Sequence, residues 1–351
     1  MNILDKIKKN TSIKDSAILS KSKFFTEKDM ITTAIPIINV ALSGKLEGGL
    51  TPGLTMWAGP SKHFKTAFSL LMAKSYLDKY EDAALLFYDS EFGTPQSYFD
   101  SFGINTDRVL HTPITDIEQL KFDVMTQLTQ LERTDKLIIV IDSIGNLASK
   151  KEVDDALDQK SVADMSRAKQ IKSLFRMVTP HLTMKDIPMV VVNHTYKSIE
   201  MYSRDVVGGG SGSYYSADNI FILGRQQEKD EKTKEITGYD FIINVEKSRY
   251  VKEKSKIPVT VSFDGGISKW SGLLNLALES GHVVKPTVGW YSRVDTNTGE
   301  VEEKKFRIND TDTSAFWNQI LKQKSFSDFV ENKYRVSSGN IMQMEEEDAA
   351  S

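Results

Sequence analysis

The sequence predicts an α/β fold in which a mostly parallel central sheet is covered by helices on both faces. Three observations predict it. Between residues 54 and 193 short apolar runs alternate with helix-patterned segments; the runs are apolar throughout, as strands buried on both faces are; and beyond residue 193 the alternation gives way to successive strand-like runs. With 351 residues, 40% hydrophobic and 26% charged, the chain can bury one large core or two modest ones, so disorder throughout is excluded.

The first apolar run is 54–58 (LTMWA), followed by a helix over 67–73. The second, 84–88 (ALLFY), precedes an amphipathic helix over 116–131. There Ile117, Leu120, Val124, Leu128 and Leu131 share one face behind a Thr115-x-x-Glu118 capping box. After the third run, 137–141 (LIIVI), a helix beginning near Ser161 places Ile171, Leu174, Phe175 and Val178 at i, i+3, i+4 and i+7. Arg167, Lys169, Lys172 and Arg176 decorate the rest of it. The fourth run is 189–192 (MVVV), and the alternation implies right-handed crossovers. Then come a glycine-rich loop (GGGSG, 208–212) and strands over 219–223, 239–245 and 258–263, with the charged stretch 226–234 as a solvated hairpin tip. A helix over 273–278, a hairpin around 296–299 and a final helix over 313–321 form a small second unit, and residues 344–348 (MEEED) end the chain as a solvated acidic tail.

Lysine plus arginine number 45 and aspartate plus glutamate 48, a net charge of −3, so any polyanion site must be a local basic patch. The absence of cysteine excludes disulfides, thiolate zinc sites, cysteine-ligated iron–sulfur clusters and a cysteine nucleophile. The first nine residues lack an apolar core, and no apolar run approaches a bilayer span. A soluble intracellular protein with no membrane partner is expected.

Directly after the first strand stands Gly59-Pro60-Ser61-Lys62-His63-Phe64-Lys65-Thr66. In a phosphate loop, GxxxxGK followed by Ser or Thr, backbone N–H groups and the helix N-terminus cradle phosphates, the lysine reaches the β/γ-phosphates and the hydroxyl binds Mg²⁺. Here Phe64 replaces the second glycine, and its side chain restricts torsions that glycine allows. The octamer alone fits a glycine turn before a helix equally well. Three further strands, however, end in polar residues at the edge where open α/β sheets bind ligands. Asp142, closing the third run, has the form of a Walker B acid for Mg²⁺; Glu91, in Tyr88-Asp-Ser-Glu91, can orient and deprotonate an attacking water; Asn193-His194 can report a γ-phosphate. Alone, these would be a cap, a turn acid and a satisfied buried pair. Four in register make accident improbable.

The ordered segments GPSKHFKT, YDSEFG, IVIDSIGNL, VVVNH, the glycine-rich loop, NVEKSR and GWYS resemble the RecA recombinases, and most of all the UvsX recombinases of T-even-type bacteriophages, over roughly residues 24–321. Those phage proteins are similar at the odd position too, with an aromatic before the loop lysine. The resemblance implies a RecA-like P-loop ATPase core with a mostly parallel central sheet, a small N-terminal helical segment and a small C-terminal α/β unit. The implied divisions are 1–28 as protomer contact, with Phe24 and Phe25 candidate docking residues, 29–268 as core, 269–335 as C-terminal domain and 336–351 as acidic tail.

For the site, the resemblance implies ATP and Mg²⁺, with residues 59–66 binding ATP, Lys65 and Thr66 as phosphate and Mg²⁺ ligands, Asp142 as the Walker B acid and Glu91 as catalytic base. Tyr98 falls where an aromatic stacks on adenine. His194 falls where bacterial RecA has a glutamine coupling the γ-phosphate to the DNA loop. Lys247 and Arg249 match a basic pair that reaches the neighbouring protomer's triphosphate. Residues 148–165, with Lys150 and Lys151, match the first DNA loop, and 195–212, with Lys197, Met201, Tyr202, Arg204, Gly208, Gly209 and Gly210, the second. The implied activity is a DNA-dependent ATPase and homologous recombinase, filamentous on single-stranded DNA. It exchanges strands with homologous duplex beside a single-strand-binding protein and a mediator, in the cytoplasm of an infected bacterial host. A hexameric helicase and a nucleotide-gated DNA scaffold are the alternatives.

Overall fold

The computed structural model describes residues 2–22, 28–158, 166–198, 205–229 and 235–336. Phe24, Phe25, Met201, Tyr202, Arg204, residues 230–234 of the expected hairpin tip and the expected acidic tail beyond residue 336 lie outside the described residues, while residues 226–229 of that expected tip are instead paired as strand.

Helix α1 (Ile3–Asn10) exposes Ile3, Leu4 and Ile7. Helix α2 (Pro36–Ser43) precedes the first βα units: β1 (Gly53–Ala58), α3 (Lys65–Lys79), β2 (Ala84–Asp89), α4 (Gln96–Ser101), β3 (Val109–Pro113), α5 (Ile117–Gln130) and β4 (Leu137–Asp142). They are followed by α6 (Lys150–Leu157), α7 (Ser166–Lys185), β5 (Pro188–Asn193), the short ribbon β6 (Thr195–Lys197) and β7 (Asp205–Val207), and α8 (Ser211–Ser216). A long antiparallel run, β8 (Asn219–Lys229), β9 (Ile236–Ser248), β10 (Lys256–Ser262) and β11 (Gly266–Ile267), closes the sheet. Its order is β11-β10-β9-β8-β1-β5-β4-β2-β3, parallel from β8 to β3 and antiparallel beyond.

Alternate residues of each central strand feed two cores. In β4, Ile138 and Val140 join the core that holds α2 and α3, while Ile139 and Ile141 join the one that holds α5 and α7. This two-sided burial is why the runs carry no polar alternation. The last elements are α9 (Leu273–Glu279), β12 (Val283–Thr287), β13 (Trp290–Asp295), β14 (Glu300–Val301), α10 (Ser314–Leu321) and α11 (Lys324–Tyr334). β12–β14 form a separate three-stranded sheet, yet Leu273, Phe316, Trp317 and Phe326 join the α2–α3 core. Among the described residues no helix is long and apolar enough to cross a membrane.

Several local expectations are corrected. Strand β3 escapes the apolar-run criterion because it is an edge strand: its His111 and Thr112 interrupt any run, and Leu110 is exposed. Helix α5 is capped one residue later than Thr115. Asp116 Oδ1 accepts from Gln119 N at 2.8 Å, while Thr115 N donates to the Gln119 side chain at 2.9 Å. Residues 150–157 are helical rather than loop, because Ser149 supplies an N-cap to Glu152 N. α10 is not final, since α11 packs Phe326, Val330 and Tyr334 into the same core.

Candidate active site

Four strand ends meet in a cleft of about 410 Å³ whose lining includes Ser61, Lys62, His63, Phe64, Lys65, Thr66, Glu91, Tyr98, Asp142 and His194. The parallel strands aim their carboxyl ends at one edge, so residues far apart in sequence converge. Gly59 lets the loop leave β1 against β8, since a Cβ there would stand 3.2 Å from the Leu223 carbonyl oxygen. Phe64 occupies the second-glycine position in the left-handed region, at φ +59°, as the residue before α3. Its ring is held 5.0 Å from that of Phe241. Lys65 is buried and its ammonium folds back onto the Pro60 carbonyl oxygen at 2.8 Å; burial pushes its pKa down.

Thr66 Oγ1 donates to Asp142 Oδ2 at 2.6 Å. Asp142 Oδ1 is buried with no hydrogen-bond partner among the described residues. An orphaned carboxylate oxygen beside a threonine hydroxyl fits a hard cation that shares its remaining ligands with phosphate, as Mg²⁺ does. Burial pushes the Asp142 carboxyl up to about 6.

Glu91 is set by a turn that sequence reading passed over. Asp89 Oδ1 accepts from the backbone N–H groups of Glu91 (3.0 Å) and Phe92 (2.8 Å). Glu91 Oε1 then accepts from Ser143 Oγ at 2.5 Å and from His194 Nε2 at 3.1 Å. The His194 bond, aided by Ser143, holds the Glu91 carboxyl below its ordinary range despite burial, so it stays ionised and able to accept a proton. Ser90 ties the two strand ends together: its hydroxyl donates to Ser143 O at 2.7 Å and its N–H to Asp142 O at 2.9 Å. Asp89 and Ser143 both stand inside the motifs YDSE and IDS, so their polar character was the available signal.

From this cleft a hydrogen-bonded path runs to the glycine-rich loop. Asn193 Nδ2 donates to Gly208 O at 2.9 Å, and Gly208 N donates to His194 O at 2.9 Å. Gly209 and Gly210, at φ +89° and +75°, turn the chain from β7 into α8. Lys197, on β6, pairs with Asp205 at 3.0 Å across the ribbon. Lys150 and Lys151 stand in the first turn of α6, where Lys150 N donates to Glu118 and Lys151 pairs with Asp155. Arg167, read as surface decoration, instead donates to the carbonyl oxygens of Ile144, Gly145 and Leu147 at 2.8–3.0 Å, fixing the segment that follows Asp142.

Lys247 and Arg249 are not brought to this cleft. Lys247 Nζ donates to Tyr214 O at 2.7 Å, and Arg249 pairs with Asp218, whose other oxygen accepts from Leu54 N at the start of β1. Sequence reading also passed over Arg225, Tyr239 and Phe241, which line the cleft from the β8–β9 side.

Residues 2–268 match the RecA N-terminal domain, and residues 270–330 match the C-terminal domain of the bacteriophage T4 recombination and repair protein. The chain is 51% identical over 346 residues to the recombination and repair protein of Enterobacteria phage T4, covering 97% of this chain and 88% of that protein. It is 24% identical over 310 residues to the RecA protein of Lactococcus lactis subsp. cremoris (84% of this chain, 73% of that one). Against the RecA protein of Bacteroides thetaiotaomicron it is 25% identical over 301 residues (85% and 87%).

Proposed function

The chain belongs to the RecA recombinase family, and from that premise we propose that it is a DNA-dependent ATPase that assembles as a helical filament on single-stranded DNA and exchanges strands with homologous duplex. One observation carries the reading: Glu91, Lys65, Thr66, Asp142 and His194 share a single cleft, and the strand that ends in Asn193-His194 is hydrogen-bonded onward to Gly208. The matches to recombination and repair proteins run through core and C-terminal unit alike and do not favour a hexameric helicase.

In this mechanism the loop N–H groups and the N-terminus of α3 receive the triphosphate. Lys65 exchanges the Pro60 carbonyl for phosphate oxygens. Thr66 and Asp142 would hold Mg²⁺, which would supply charge neutralisation of the phosphates. Glu91, kept ionised and aimed by Ser143 and His194, accepts the proton of the attacking water. Tyr98, half-buried on α4, offers a face to the base. A shift of His194 on γ-phosphate loss passes through Asn193 to the Gly208–Gly210 turn and so to the loop that meets DNA, which is the linkage of nucleotide state to DNA grip. Lys150, Lys151, Lys197 and Arg204 supply contacts to phosphates, and Met201 and Tyr202 stack on or wedge between bases, without base readout, so sequence matching is left to base pairs. Lys247 and Arg249 serve the neighbour's triphosphate, and residues 1–28 dock one protomer on the next. The protein acts inside the bacterial host, beside a single-strand-binding protein and a recombination mediator.

Electron microscopy of the protein on single-stranded DNA with a slowly hydrolysed ATP analogue tests the reading. Regular filaments that need both DNA and nucleotide are expected. Protein that stays monomeric on DNA whatever the nucleotide overturns it.

A further inference from the structure

We propose that the β8–β9 ribbon, through Arg225, Tyr239 and Phe241, braces the phosphate loop in its receiving shape and thereby takes over the part that a second loop glycine would play. The proposal rests on the cleft being an ATP site. Two loop residues that carry side chains, Lys62 and Phe64, are both at φ +59°. L-residues avoid that region, so an unsupported loop would leave it. Each is held from the same side. Arg225 Nη1 donates to the Lys62 carbonyl oxygen at 3.1 Å, and its guanidinium lies 4.5 Å from the centre of the Tyr239 ring. The Phe64 ring sits 5.0 Å from Phe241, which is fully buried and fixed by the β-ladder opposite Arg225. His63, between the two strained residues, meets the same Phe241 edge-on at 6.4 Å.

Arginine suits this place for a reason beyond charge. A flat guanidinium can lie on a ring while one of its N–H groups reaches the loop, whereas a lysine ammonium is a point charge on a flexible stem. Arg225 is therefore a positioning residue: it acts on ATP through the loop it holds.

The test measures the dissociation constant of a fluorescent ATP analogue with Mg²⁺, and KM and kcat for ATP on single-stranded DNA. Arg225→Gln, Arg225→Lys and Tyr239→Leu are expected to weaken binding three- to tenfold and raise KM in parallel, with kcat at saturating ATP within twofold. In a Lys62→Gly background, Arg225→Gln should cost less than twofold, because glycine holds φ +59° unaided at the residue whose carbonyl Arg225 grips. Arg225→Lys binding as tightly as the parent would reduce the role of Arg225 to charge and overturn the brace. The same factor for Arg225→Gln in both backgrounds would overturn it equally. A parent that fails to bind the analogue would instead overturn the reading of the cleft, and this proposal with it.

Discussion

Replacing Asp142 with asparagine should stabilise the nucleotide-free protein at neutral pH even as it disables the site. The carboxyl is only 3% exposed, one of its oxygens has no hydrogen-bond partner, and burial lifts its pKa from 3.8 to about 6 against the opposing bond from Thr66. Because the folded value lies above the unfolded one, the group's stabilising contribution is whole below about pH 4 and is lost as the pH rises through about 6. At pH 7 the ionised side chain therefore costs about 3 kcal/mol, at about 1.4 kcal/mol per pH unit, and roughly half of that is already lost at pH 5. Asparagine keeps an oxygen for the Thr66 hydroxyl and removes the charge. Thermal unfolding followed from pH 5 to 8 without nucleotide should place the variant about 5 °C above the parent at pH 7.5, with the gap narrowing toward pH 5. Adding Mg²⁺ and ATP should raise the parent's midpoint and not the variant's. A variant no more stable than the parent at pH 7.5, or ahead by a margin that ignores pH, would refute the view that Asp142 is a desolvated charge shaped for a cation.

Glu91→Gln should lower ATP turnover by about 10²- to 10⁴-fold while nucleotide and DNA binding persist. A parent without measurable turnover would point instead to a nucleotide-gated scaffold. Phe64→Gly and Phe64→Ala both lose the ring packed on Phe241, but only alanine keeps the left-handed penalty. Denaturation should rank parent, glycine, alanine in falling stability, with glycine ahead of alanine by about 1 kcal/mol. Lys247→Ala with Arg249→Ala should leave ATP binding to the isolated chain intact and abolish ATP-dependent assembly, read by sedimentation with and without nucleotide.

The sheet was legible because its strands are buried on both faces, which writes a continuous apolar run into the chain at 54–58, 84–88, 137–141 and 189–192. The edge strand β3 was not, since one flank of Leu110 faces solvent and nothing forces the run. In the cleft, residues whose chemistry is declared by type and spacing could be named in advance, as with Lys65, Thr66 and Asp142. Those that act by holding other residues could not. Asp89 shapes the turn that presents Glu91, Arg167 fixes three carbonyl groups, and Arg225 grips Lys62, and each reads in sequence as an ordinary charged residue. Their roles depend on which backbone group the fold brings within 3.1 Å, a fact that periodicity does not encode.

The same ribbon that touches the phosphate loop also carries the cations that cannot reach it. Phe241 packs on Phe64 beside the loop, while Lys247 lies six residues further along β9, about 20 Å away at 3.4 Å per residue, with Arg249 beyond it near the start of β1. A lysine or arginine side chain spans only a fraction of that distance, so a lone protomer has no means of bringing this pair to its own triphosphate. If the pair serves ATP at all, the ATP belongs to another copy, and the site is complete only in an assembly. Nucleotide affinity must then rise with protein concentration, and each bound ATP must tighten the protomer–protomer seam by the same free energy that the seam adds to ATP binding. The β8–β9 ladder joins the two regions and gives that reciprocity a physical carrier, since the strand that packs Phe241 on the loop is the one that carries Lys247 and leads to Arg249.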